Sequence, residues 1–376
     1  MAESLMEKLD LREMDVRELE EFALSLGEPR YRGRQLARWL FEKGATSFDS
    51  MTDLPLASRT ALTECCRIGS LTLLGMKRAG DGAVKYLFGL EDGERVESVY
   101  IPSESRHTLC LSTQVGCRMG CRFCLTGRLG LRRQLKASEM VGQLLAVREL
   151  LPAEERLTNL VLMGMGEPLD NFEATVKALK IITSTWGCAF SPRRVTLSTC
   201  GLLPELVDFQ KALPGVKLGI SLNAPRDELR SWLMPVNRRH PLKALIGACR
   251  SLALKPSRML TFEYVLLRGV NDSQREAREL ARLLRGLRAK VNLIPFNPFR
   301  GAPFSPPSAG AAEAFRESLC DAGFTAILRE SRGAEVGAAC GQLGGEGEGY
   351  CGANSGSGSF PPKREPVGLD NRAVIK

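Results

Sequence analysis

Three cysteines fall close together in the stretch GCRMGCRFCLTG: Cys117, Cys121 and Cys124, with three residues in the first gap and two in the second. Zinc sites and disulfide frameworks use cysteines in fours or pairs. Three thiolates on one short loop can instead hold three irons of a cubane iron–sulfur cluster and leave the fourth iron open. A molecule with an amine and a carboxylate on adjacent atoms can chelate that corner, and S-adenosylmethionine (SAM) is one. An electron from the cluster then cleaves its C–S bond and releases an adenosyl radical, chemistry beyond side chains alone. The zinc alternative needs a fourth ligand. Cys110 is the candidate, although it belongs to the preceding strand.

The rest of the composition narrows the field. The two histidines, His107 and His240, sit in no nucleophile or HExxH setting. His107 opens a strand without an obvious partner, and His240 reads as a surface residue. Cys188, Cys249 and Cys320 are scattered singly and read as small buried hydrophobes of a reducing compartment. A net charge of +9 invites a polyanion such as RNA. Five arginines between Arg118 and Arg133 surround the cysteine loop, either as a solvated face or as phosphate contacts. No apolar run is long enough for a membrane span, and the N-terminus is mixed and acidic, so the expectation is a cytoplasmic protein with no membrane partner.

These residues need a scaffold, and the chain supplies alternating elements. Residues 1–102 read as an accessory domain, helical to about residue 64 and then β-rich, with hairpin turns at Asp81-Gly82 and Asp92-Gly93. Residues 103–335 alternate short strands with helices, which implies a parallel sheet. About six such units are too few for a closed eight-fold barrel, so the expected fold is α/β, a partial (β/α)6 barrel. Its chemistry belongs at the C-terminal ends of the strands. The cysteine loop, GMGEP, STCG, SLNAP and PFNPF all follow strands and would meet at one mouth. Residues 336–376 read as a flexible tail, rich in glycine and serine, with Cys340 near its start.

Cx3CxFC after a strand resembles the radical SAM superfamily. CLSTQVGCRMGCRFCLTG, NLVLMGMGEPLDN, RRVTLSTCG, ISLNAP, NLIPFNPF and AACGQL resemble, in order and spacing, the RlmN/Cfr family of RNA adenosine methyltransferases. The resemblance spans residues 10 to 343 and includes GEPRYRGRQLARWLF near the N-terminus. It implies a [4Fe-4S] cluster on Cys117, Cys121 and Cys124, with SAM as cosubstrate. It implies methyl transfer to carbon 2 of an adenosine in 23S rRNA, and possible action on the adenosine beside the tRNA anticodon. An electron donor such as flavodoxin or ferredoxin is implied too. Ring carbon 2 is electron-poor and has no lone pair, so a carbon radical must add to it.

By the same resemblance Cys340 accepts a methyl group from one SAM, and a second SAM supplies the radical that activates it. Cys110 is the resolving thiol that frees the product, leaving a transient Cys110–Cys340 disulfide. Glu97 is the base. Strand parity puts it on a face with Val99 and Ile101, where apolar surroundings would raise its pKa. Gly166 and Glu167 match the loop that binds the SAM amino group. Ser198, Ser221, Asn223 and Asn297 match SAM-contacting positions, with Leu222 contributing backbone. The family commonly has histidine where Asn223 stands. Two other readings stay open: a Cfr-like C8 methyltransferase, and a non-catalytic iron–sulfur or zinc RNA-binding module.

Overall fold

The computed structural model describes residues 8–252 and 258–344, together with the backbone of 351–352. Ten strands form one continuous sheet: β1 (Thr72–Arg78), β2 (Val84–Gly89), β3 (Arg95–Ser103), β4 (Arg106–Cys110), β5 (Asn159–Leu162), β6 (Val195–Thr199), β7 (Lys217–Ser221), β8 (Leu260–Leu266), β9 (Ala289–Pro295) and β10 (Thr325–Leu328). Their order across the sheet is their order in the chain, and Cys351–Gly352 adds beside β1. The first four pair antiparallel. From β4 to β10 every pairing is parallel.

Each parallel step needs a crossover. Six helices supply them: Ala137–Leu150, Phe172–Thr183, Leu203–Ala212, Leu242–Ser251, Gln274–Leu284 and Ala309–Asp321. The fold is therefore an open (β/α)6 barrel, as the alternation implies. Strand β3 runs through the expected domain boundary at residue 102, so the hairpins extend the barrel sheet instead of standing apart from it. The segment read as a flexible tail is docked as far as Gly344, and the remainder of that expectation lies outside the described residues.

Polar anchors tie the N-terminal helices to this frame. Asp15 and Glu18 form a capping box that starts Val16–Ser25. Arg12, 4% exposed, donates to the carbonyls of Gly69 and Ala45. Glu13 caps the helix Ala137–Leu150 by accepting from Ser138 N–H at 2.8 Å. The helix that follows the cysteine loop is thus held from the N-terminal side. Replacing Glu13 with alanine is expected to cost about 1 kcal/mol of stability, read from the urea midpoint.

Some local expectations change. His107 has a partner after all: it hydrogen-bonds the Tyr100 hydroxyl and stacks on its ring. Cys249 is buried as expected, whereas Cys320 is exposed near the end of its helix. Burial pushes the Cys249 thiol up to about 12 from an ordinary 9.0. The unfolded chain therefore releases this proton first, and the stability it contributes is complete below pH 9 and falls as pH rises toward 12. Above pH 9 the stability gap between the native protein and Cys249→Ala should narrow by about 1.4 kcal/mol per pH unit, measured by denaturant midpoints. A constant gap would contradict this.

Candidate active site

The cysteine loop hangs between two short antiparallel strands, Gln114–Cys117 and Gly130–Gln134. This ribbon is absent from the strand–loop–helix pattern read in the sequence. It closes because position 116 is glycine: φ is +79°, and a Cβ there would lie 1.9 Å from the Gly130 carbonyl oxygen. Cys117 is buried, and Cys121 and Cys124 are half-buried. Burial pushes the Cys117 thiol up to about 12, and it also raises Cys121 and Cys124. Cys121 feels the charges of Cys124 and Cys117. Among the described residues no three side chains converge closely enough to hold a single metal ion.

The residues around Cys340 are fixed from several sides. Leu125 N–H donates to Gly341 O at 2.7 Å, and Thr126 Oγ1 to Leu343 O at 2.6 Å. Asn297 Nδ2 donates to the Cys340 carbonyl at 3.1 Å, and Gln342 Nε2 to Pro298 O at 2.7 Å. The cysteine loop itself thereby grips the segment that carries Cys340. Cys110 ends β4, and it lines one cavity together with Cys340. Burial, followed by the charge of Cys340, raises the Cys110 thiol well above its ordinary value. Cys340 is open to that cavity yet surrounded by protein. This crowding and the charge of Glu263 push it up to about 11. Both thiols are free.

Glu97 is 2% exposed, and its surroundings differ from the apolar face expected. Cross-strand pairing puts Lys85 opposite Val99 and Cys110 opposite Val99 from the other side, so all four side chains share a face. Lys85 Nζ lies 3.0 Å from Glu97 Oε1, and Glu97 Oε2 accepts from Gly344 N–H at 2.6 Å. Glu97 thus braces the Cys340 segment. A buried pair broken on one side leaves an uncompensated charge. Lys85→Ala is expected to cost about 3–5 kcal/mol, and Lys85→Met combined with Glu97→Leu much less. Chemical denaturation of both variants measures the difference.

The loops after β5, β6 and β7 meet beside the cysteines. Gly166 has φ +103°, and a Cβ there would meet Gln114 at 2.6 Å. Glu167 is buried; its Oε2 accepts from Cys200 N–H at 2.8 Å and its Oε1 from Leu169 N–H at 3.1 Å. Its carboxylate therefore ties GMGEP to STCG. Burial raises its pKa, opposed by the Cys200 N–H. The Ser198 and Ser221 hydroxyls lie 3.4 Å apart on adjacent strands. Asn223 has φ +62°, a region asparagine tolerates better than most residues. Its Oδ1 accepts from Val265 N–H and its Nδ2 reaches Met234 Sδ, so the side chain is committed inside the protein. Leu222 is likewise engaged: its N–H donates to Glu263 O, and its carbonyl accepts from Arg230.

Arg230 gives no signal in the sequence, where it reads as one more helix-surface charge. It is fully buried. It donates to the carbonyls of Leu222, Ser221 and Cys200 and to Asn237 Oδ1 at 2.8–3.1 Å. One guanidinium thus joins the SLNAP and STCG loops, and its charge acts on Cys121. The arginines of the cysteine loop divide. Arg118, Arg132 and Arg133 pair with Asp170, Glu94 and Asp92, which leaves them partly neutralised. Arg122 and Arg128 lie over the rings of Trp232 and Phe299.

Residues 111–281 match the radical SAM superfamily, and residues 9–68 match the ribosomal RNA large subunit methyltransferase N-terminal domain. A protein of Syntrophus aciditrophicus, named dual-specificity RNA methyltransferase RlmN, is 48% identical over 91% of this chain and 98% of its own length. One of Geobacter sulfurreducens with the same name is 48% identical over 90% of this chain and 92% of its own. The chain belongs to the RlmN family. A radical SAM methyltransferase from Sphaerobacter thermophilus shares its structure with a TM-score of 0.84 at 45% identity, covering 89% of this chain and 98% of that one.

Membership implies a [4Fe-4S] cluster and SAM as the family's cofactors. The residues present fit them. Cys117, Cys121 and Cys124 are thiols that burial keeps protonated until a metal takes the proton's place. Arg230 adds a buried positive charge beside the anionic donor set. Among the described residues no helix is long and apolar enough to cross a membrane.

Proposed function

We propose that this protein methylates carbon 2 of an adenosine in 23S rRNA, and the adenosine beside the anticodon of tRNA, with Cys340 as the methyl carrier. The observation that carries the reading is the docking of the Cys340 segment. Backbone and side-chain donors of the cysteine loop hold Gly341 and Leu343, while Cys340 and Cys110 line one cavity. A thiol so held can face a cofactor bound at the loop and a base entering the cavity without leaving its site.

In this reading Cys117, Cys121 and Cys124 hold the cluster, while the loop of Gly166 and Glu167, with Ser198, Ser221, Leu222, Asn223 and Asn297, encloses SAM. Since the Glu167 and Asn223 side chains are engaged internally, they act by shaping their loops. When bound, the cluster and SAM supply a one-electron cleavage that yields a carbon radical. The protein's own part is to present the methyl group on Cys340, to accept a proton at Glu97, and to attack the Cys340 sulfur with Cys110 so that product leaves. That last step joins the two thiols in a transient disulfide. Glu97 already reaches Gly344 and shares a face with Cys110. An electron donor such as flavodoxin or ferredoxin, and a cytoplasmic setting with access to ribosomal RNA, complete the requirements.

The test is anaerobic reconstitution with iron and sulfide, followed by methylation of 23S rRNA fragments and tRNA with SAM and a reductant. Mass spectrometry of the digested RNA should show 2-methyladenosine. 8-Methyladenosine alone would establish the C8 reaction instead, and bound RNA with no methylated product would leave only a binding module.

A further inference from the structure

The cavity shared by Cys110 and Cys340 has a volume of about 270 Å³, near the lower end, about 300 Å³, of sites that enclose small ligands. Glu263 and Asn292 also line it. They are direct cross-strand partners on β8 and β9, so their side chains leave the same face of the sheet. Glu263 is 8% and Asn292 6% exposed. Asn292 Nδ2 donates to Glu263 Oε1 at 2.9 Å. The other polar atom of that amide, Oδ1, is buried, and among the described residues no donor reaches it. Native proteins keep few orphaned buried acceptors, because such atoms are costly to desolvate.

The Asn292 amide can therefore be assigned one orientation. An ionised carboxylate only accepts hydrogen bonds, so Glu263 turns the NH2 group toward itself and fixes the position of Oδ1. A carboxamide held this way offers an acceptor and a second N–H side by side. That pattern complements adenine, whose N6 amine donates and whose neighbouring ring nitrogen accepts.

We propose that Asn292, oriented by Glu263, binds the target adenine through its N6 amine and N1, which leaves carbon 2 beside Cys340. The inference rests on the methyltransferase reading above and names the residues that select its base. Two observations favour the target base over the adenine of SAM. The charge of Glu263 acts on Cys340, so the pair stands next to the sulfur that carries the methyl group. Two residues further down the same face of β9 is Lys290, and Lys217 and Arg106 line the same cavity. This cationic floor favours a phosphodiester over SAM, whose sulfonium and ammonium outweigh its one carboxylate. Reading N6 with N1 puts carbon 2 next to the bonded edge, whereas reading N6 with N7 would put carbon 8 there.

The experiment uses the reconstituted full-length enzyme, S-adenosylhomocysteine to block turnover, and RNA hairpins altered only at the target nucleotide. Affinities are compared for adenosine, purine riboside (no N6 amine), 1-deazaadenosine (no N1) and 7-deazaadenosine (no N7). The native enzyme should bind the adenosine and 7-deazaadenosine hairpins alike and lose at least about tenfold with the other two. Asn292→Ala should bind all four alike, at the weaker level. Glu263→Gln can turn the amide over and should erase the same preference. Equal binding of all four RNAs by the native enzyme overturns the proposal without any variant. So does a loss confined to 7-deazaadenosine, a preference that survives in Asn292→Ala, or an Asn292→Ala defect in SAM affinity in place of RNA discrimination. A separate methylation assay of the adenosine hairpin with SAM tells failure of this assignment from failure of the methyltransferase reading.

Discussion

Cys110→Ala enzyme is expected to finish its reaction joined to RNA, through carbon 2 of the adenine and the sulfur of Cys340. In the proposed mechanism the variant still carries the methyl-accepting thiol, the cysteine loop and the base, so methyl transfer and addition to the ring should proceed. It lacks the sulfur that must attack Cys340 to free the product. Multiple turnover should fall by about 10³-fold or more. A protein–RNA band should persist on a denaturing gel, and digestion should yield a Cys340 peptide bearing one nucleotide. Cys340→Ala and the Cys110→Ala/Cys340→Ala pair should show no such band. The burial of Cys110 sharpens the expectation, because few outside thiols can reach its place. Free RNA and free Cys110→Ala protein as the only products would remove Cys110 from the mechanism.

Arg230→Leu is expected to damage stability and cofactor binding together. The substitution leaves three carbonyls and the Asn237 amide oxygen without their buried donor. Each lost bond of this kind costs about 1–3 kcal/mol, and partial collapse of the site brings the sum to about 3–5 kcal/mol. The SLNAP and STCG loops lose their common tie, so SAM affinity should drop by about 10²-fold. Arg230→Lys should recover little, because one ammonium cannot reproduce a planar fork that serves two loops. Urea denaturation and SAM titration of the reconstituted protein measure the two effects separately. Unchanged values for both would show that the guanidinium is incidental to these loops.

Much of this architecture can be read from short local signals. The spacing of Cys117, Cys121 and Cys124 is a property of one loop, and the alternation from β4 onward repeats in hydrophobic period and helix length. Contacts between residues distant in the chain leave no such trace. Arg230 looks solvated in DELRSWL, and its four partners come from three other segments. Strand parity gives the face of Glu97 correctly but not its neighbour, because Lys85 arrives from another strand. Three loop arginines that suggested phosphate contacts are paired with acids spread from Asp92 to Asp170. The docking of Cys340 depends on Thr126 and Asn297, which are far away in sequence and ordinary in type.

Because the strands lie side by side in the order in which the chain presents them, the sheet can grow on the ribosome by adding each new strand to the edge just completed. In the proposed mechanism the radical-generating loop is made early and the methyl-carrying sulfur last. On that mechanism a nascent or broken chain that stops before residue 340 would own the hazardous half of the chemistry without a target for it, and it would lack the Gly341 and Leu343 contacts that brace the loop.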